Sequence, residues 1–75
     1  MQDIDMVQIG QRIKELRTEH KLSQADLAKE IGIAQNTLSQ YENGIVKAGI
    51  EIIVKLAQTF KTSTDYILLG DEKFY

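Results

Sequence analysis

Three neutral amides, Gln35, Asn36 and Gln40, carry the most specific chemistry on offer in this 75-residue chain. Each side chain combines an N–H donor with a carbonyl acceptor, the pairing that matches N6 and N7 of adenine and gives about 1–3 kcal/mol of discrimination per contact. Ile33, Leu38 and Tyr41 fall at helical spacing and give this stretch a buried stripe. Gln35, Asn36, Thr37, Ser39 and Gln40 leave its other face polar and uncharged. Polar residues also simply cover exposed helix faces, so the amides alone do not make a site. Catalytic chemistry is poorly supplied. No nucleophile stands beside a base, no glycine-rich phosphate loop occurs, and the paired acids Glu15 and Glu19 suit a helix surface. With no cysteine and a single histidine, His20, disulfides and thiolate sites are excluded and neither a metal nor a cofactor is expected. His20 itself falls in a last helical turn, where an imidazole suits the helix dipole.

The elements that must position the amides lie in Ser23 to Gly44, SQADLAKEIGIAQNTLSQYENG, which reads as two short helices joined by a tight turn. Gln24, Ala28 and Gly32 recur every four residues and stack on one face of a helix running from Gln24 to Ile31. Ser23 with Asp26 three residues on forms a capping box at its start. Gly32 can take the left-handed conformation that ends it, and Ala28 lets a neighbouring helix approach closely. Asn43 and Gly44 close the second helix of the pair.

This stretch resembles the helix-turn-helix of the phage-repressor-like family (Cro/C1-type, XRE), the group that includes the lambdoid repressors and Cro proteins. Leu27, Ile31, Ile33, Leu38 and Tyr41 fill its apolar positions, Ala28 its small position and Gly32 its glycine; the likeness extends from Ile9 to Leu69. The resemblance implies an all-α, compact five-helix bundle of the lambda-repressor-like DNA-binding type, with the helix-turn-helix at helices two and three. It also implies that the third helix enters the major groove, where Gln35, Asn36 and, one turn later, Gln40 reach base edges. Gln24 becomes a phosphate clamp, because its side chain and the free N–H groups of its helix end point at one oxygen. Thr37, Ser39, Asn43 and Lys47 are further DNA-backbone candidates, whereas Arg12 and Lys29 are better read as a solvated face. In relatives an arginine of the first helix pairs with a glutamate at the end of the recognition helix. Arg17 and Glu42 hold the matching positions, which makes them a structural ion pair and not DNA contacts.

Several residues depart from the family pattern. Ala34 stands where relatives carry a capping serine or threonine, a loss of about 1 kcal/mol. Ile45, Val46 and Ala48 replace the usual basic residues and proline after Gly44, and Ile52 replaces a polar residue. Burial under the loop is expected for Ile45, while Ile52 is a candidate dimer contact.

The remaining elements follow from periodicity and caps. A first helix from about Val7 to His20 buries Ile9, Ile13 and Leu16. A fourth from about Ile50 to Phe60 starts at Gly49 and buries Ile50, Ile53, Val54, Ala57 and Phe60. A fifth from about Thr64 to Leu69, capped by Thr62 or Ser63 and ended by Gly70, adds apolar surface from Tyr66, Ile67 and Leu69. With the resemblance, residues 1–70 are expected to form one helix-turn-helix DNA-binding domain, and 71–75 a short acidic and aromatic tail, partly disordered unless Phe74 and Tyr75 dock.

The net charge of −2 and pI near 5.2 are unusual for a partner of nucleic acid. Acidic ends, Asp3 and Asp5 at one and Asp65, Asp71 and Glu72 at the other, flank a middle that holds eight basic and six acidic residues. Phosphate affinity depends on the local patch more than on the total. No apolar run is long enough to span a bilayer, and the opening MQDIDM lacks the basic and apolar regions of a signal peptide, so a cytoplasmic protein is expected. The resemblance implies a sequence-specific DNA-binding transcriptional regulator, a repressor acting as a homodimer on a double-stranded operator. The alternative is an antitoxin-type or anti-repressor module that keeps the fold for protein partners, which the acidic balance favours. An enzyme is the least supported class.

Overall fold

Side-chain caps mark three of the five helix starts in the computed structural model, which describes residues 4–71. Expectations about residues 1–3 and about Phe74 and Tyr75 lie outside the described residues. The chain forms α1 (Met6–Glu19), α2 (Gln24–Ile31), α3 (Gln35–Glu42), α4 (Ile50–Phe60) and α5 (Thr64–Leu69), with no strand among the described residues. The start of α1 is fixed by Asp5, whose Oδ1 accepts from the N–H groups of Val7 at 2.9 Å and Gln8 at 3.4 Å. At α2 the capping box is complete: the Asp26 N–H donates to Ser23 Oγ at 3.0 Å and the Ser23 N–H to Asp26 Oδ2 at 3.4 Å. Gly32 ends that helix at φ 77°. For α5 the cap is Ser63, whose Oγ accepts from the Tyr66 N–H at 2.9 Å; Thr62 is buried instead.

One apolar core joins all five helices. It takes Ile9, Ile13 and Leu16 from α1, Leu27, Ala28 and Ile31 from α2, and Leu38 from α3. To these α4 adds Ile53, Leu56, Ala57 and Phe60, and α5 adds Ile67. Fully burying a side chain of this size contributes about 1.5–3 kcal/mol. Among these helices α1 is the hub, packing against α3, α4 and α5, while α2 packs against α3 and α4. Ile33 and Tyr41, expected in the buried stripe, are half-buried beside Leu38.

The orientation of α4 differs from the expectation. Ile50 and Val54 are 85% and 41% exposed, and the fully buried residue of that helix is Leu56. The sequence IEIIVKLAQTF is apolar over most of its circumference, so several stripes satisfy the helical period and packing against α5 and α2 selects one. Ile45 is likewise 65% exposed and not covered by its loop, while Ile52 is half-buried against the core. Arg12 is not a solvated cation. It is half-buried, and its Nη1 donates to the carbonyl of Ile67 at 3.1 Å, satisfying an otherwise orphaned acceptor of α5. Lys55 of α4 does the same for α2, its Nζ donating to the Ile31 carbonyl at 3.4 Å.

Candidate nucleic-acid interface

The third helix is anchored at one end and open at the other. At the anchored end Glu42 is buried, with a side chain only 1% exposed. Arg17 of α1 grips it with two hydrogen bonds, Nε to Oε2 at 2.7 Å and Nη2 to Oε1 at 3.2 Å, and spends Nη1 on the Leu22 carbonyl at 2.9 Å. A third donor reaches Glu42 from α2: Gln24 Nε2 lies 3.0 Å from Oε1. A buried carboxylate with three donors is fully satisfied, and this network ties α1, the turn before α2, the start of α2 and the end of α3 together. Backbone contact reinforces it. A Cβ on Gly10 would lie 2.6 Å from the Glu42 carbonyl oxygen and closer still to that of Tyr41, so only glycine lets α1 come this near to α3. His20 helps close α1, with Nδ1 2.9 Å from the Leu16 carbonyl and its ring 4.8 Å from that of Phe60.

At the open end no side chain caps α3, since Ala34 occupies the N-cap. Gln35 and Asn36 are exposed there, and with Gln24 and Ser39 they border one polar notch. Four of the residues singled out in the sequence are thus brought together. Gln24 is held by its bond to Glu42, which leaves its second N–H and its carbonyl oxygen for a ligand. Ser39 and Asn43 form their own pair, Asn43 Nδ2 donating to Ser39 Oγ at 3.3 Å on the exposed face. Thr37 and Gln40 are half-buried, and the Gln40 carbonyl accepts from the Ile45 N–H at 3.0 Å as the chain leaves the helix. Lys47 is apart from the notch, on the border of an apolar groove with Ile4, Ala48 and Ile50.

Two positioning residues escaped the sequence reading, although each left a trace. Gly10 interrupts an otherwise good helix former, a choice that costs about 1 kcal/mol unless close packing needs it. Arg12 flanks the stripe of Ile9, Ile13 and Leu16, where a long side chain is drawn partly inward. The bond from Gln24 to Glu42 left no trace, because it joins residues 18 positions apart.

A family model described as Helix-turn-helix matches residues 13–67. The P22 c2 repressor of Salmonella phage P22, solved in complex with a synthetic operator, is 33% identical and superposes with a TM-score of 0.79. The alignment covers 84% of this chain and 96% of that one. SinR from Bacillus subtilis, solved in complex with DNA, is 32% identical with a TM-score of 0.73, covering 79% of this chain and 95% of that one. Among curated proteins, Antitoxin PezA of Streptococcus pneumoniae is 41% identical over 66 residues, which make up 87% of this chain and 40% of PezA. The chain spans between 40% and 52% of the length of the first three such relatives. It belongs to the phage-repressor-like, Cro/C1-type helix-turn-helix family.

Proposed function

We propose that this domain is a sequence-specific DNA-binding transcriptional regulator that lays α3 in the major groove and acts as a homodimeric repressor. The carrying observation is the polar notch at the open end of α3, where Gln24, Gln35, Asn36 and Ser39 converge beside uncapped helical N–H groups. Gln35, Asn36 and Gln40 take the base edges. Gln24, Thr37, Ser39, Asn43 and Lys47 take phosphate and sugar, which fix register without carrying sequence information. The anchored end of α3 supports this assignment, because a helix held by Arg17, Glu42 and Gly10 presents its first turn at a constant angle. P22 c2 and SinR bound to DNA support it by likeness of fold. A dimer would read two half-sites about 34 Å apart, one per turn of the duplex. We assign the domain no catalytic step, and its place of action is the cytoplasm, where such an operator is found.

Selection from a pool of random duplexes at two salt concentrations tests this reading. Enrichment of a two-fold symmetric site is the expected result. Each neutralised phosphate adds about 0.9 to the slope of log affinity against log salt, so the few cations near α3 predict a shallow slope. No enrichment at low salt by the folded domain would overturn the regulator reading. A second reading, an antitoxin-type module whose main partner is a protein, draws only on the likeness to Antitoxin PezA and is not better supported than the regulator reading.

A further inference from the structure

The chain has two asparagines, one in the first turn of α3 and one at its C-cap, and both are exposed. An asparagine side chain is an electrophile towards the next backbone nitrogen, because attack on Cγ closes a five-membered succinimide ring. The next residue decides how open that path is. Asn36 precedes Thr37, whose branched Cβ crowds the nitrogen inside a helical turn. Asn43 precedes Gly44, which has no side chain to obstruct it. Backbone geometry then sets the timing. Asn43 stands at φ −89° and ψ 0°, so the Gly44 nitrogen eclipses the Asn43 nitrogen and faces away from Cγ. The Gly44 N–H donates to the Tyr41 carbonyl at 3.2 Å, and the Ile45 N–H to that of Gln40 at 3.0 Å. The Asn43 amide is turned back along the helix, its Nδ2 donating to Ser39 Oγ at 3.3 Å. These bonds close the last turn, the part of a helix that frays first, and their opening frees ψ to bring nitrogen and Cγ together.

We propose that Asn43 and Gly44 form a self-modification site, where spontaneous deamidation turns the end of α3 from a neutral donor into an anion and releases the domain from DNA; the release rests on the regulator reading above. In the step itself the Gly44 nitrogen bonds to Cγ and the Cγ–Nδ2 bond breaks. Nδ2 leaves as ammonia, taking the proton that the Gly44 nitrogen gives up. Water then opens the ring at either carbonyl, leaving aspartate or isoaspartate. Both products place a carboxylate at a helix C-terminus, where the dipole disfavours it, and next in sequence to the buried Glu42. Both also remove the Nδ2 donor that we assign to the DNA backbone. Isoaspartate goes further, because its main chain runs through the former side chain and is longer. That extra length falls beside Gly44, which packs so tightly on α1 that a Cβ there would lie 2.8 Å from Val7 Cα. A phosphate held by the Asn43 amide keeps the turn closed, so the free domain ages while the bound one is preserved.

Ageing the 75-residue chain at mildly alkaline pH, in buffer and in urea, followed by peptide mass mapping, tests the site. The expected result is the mass gain of an amide-to-acid change at Asn43, with isoaspartate beside aspartate and with Asn36 unchanged. Conversion should be faster in urea, where the turn is open. Affinity for the duplex enriched in the selection above is expected to fall in step with conversion. Asn43→Asp, checked for folding by a thermal melt, should bind that duplex about tenfold or more weakly, the loss of one hydrogen bond to a charged group. Asn43→Gln, which can close only the slower six-membered ring, should keep through ageing whatever affinity it starts with. Conversion at Asn36 as fast as at Asn43 overturns the proposal, as does an Asn43 still intact in buffer after the urea sample has fully reacted. So does a folded Asn43→Asp that binds the duplex like the wild type. If the wild type enriches no duplex while Asn43 alone converts, the modification site stands and the regulator reading falls.

Discussion

The two ends of α3 are built on opposite terms. At its last turn a buried glutamate meets three donors from two other structural elements, and Gly10 brings the α1 backbone to within contact of the Tyr41 and Glu42 carbonyls. At its first turn there is no cap, and the side chains are exposed amides. The difference separates two jobs along eight residues. Stability is concentrated where the helix is held, and the amide groups are left free at the end where we propose that DNA is read, so substitutions at the two ends should fail in different ways.

The largest effect is expected from Glu42→Ala. Removing one partner leaves the largely covered Arg17 guanidinium without its countercharge and should cost about 3–5 kcal/mol, measured by urea unfolding. A loss under about 1 kcal/mol would break the comparison, since α3 would then be held by apolar packing alone. Gly10→Ala comes next. Its new methyl group meets two backbone carbonyls that cannot rotate away, and about 1–3 kcal/mol of destabilisation is expected by the same measurement. An alanine tolerated there without loss would mean that α1 and α3 can separate freely.

At the open end the signs reverse. Ala34→Ser restores the missing cap and should stabilise the domain by about 1 kcal/mol, read as a raised melting temperature. A serine with no effect would show that the first turn is satisfied by other means. The smallest stability effect belongs to the double variant Gln35→Ala, Asn36→Ala, expected within about 0.5 kcal/mol of the wild type because neither side chain is buried.

How far the sequence carried depended on how local each signal was. The limits of α2 were legible because Ser23, Asp26 and Gly32 act within one turn of the residues they cap. The pairing of Arg17 with Glu42 was reached through family likeness, since nothing in the spacing of two residues 25 apart announces a contact. Features that depend on the packing of whole helices were not legible. Ile50, Val54 and Leu56 are chemically alike, and only the position of α5 and α2 against α4 decides which of them is buried. Arg12 looked like a surface cation because its acceptor, the Ile67 carbonyl, lies 55 residues away. The amides of the candidate site could be picked from residue type, but their convergence with Gln24 depends on the turn at Gly32 and on Glu42 holding the Gln24 side chain.

The most direct test of base reading by the open end of α3 is to repeat the duplex selection with the Gln35→Ala, Asn36→Ala variant beside the wild type, after matching the two by thermal melt. The expected result is a fold of unchanged stability that no longer enriches the wild-type site and keeps only sequence-independent, salt-sensitive binding. Enrichment of the same site by the variant would contradict the account, because DNA sequence would then be read by residues other than these amides.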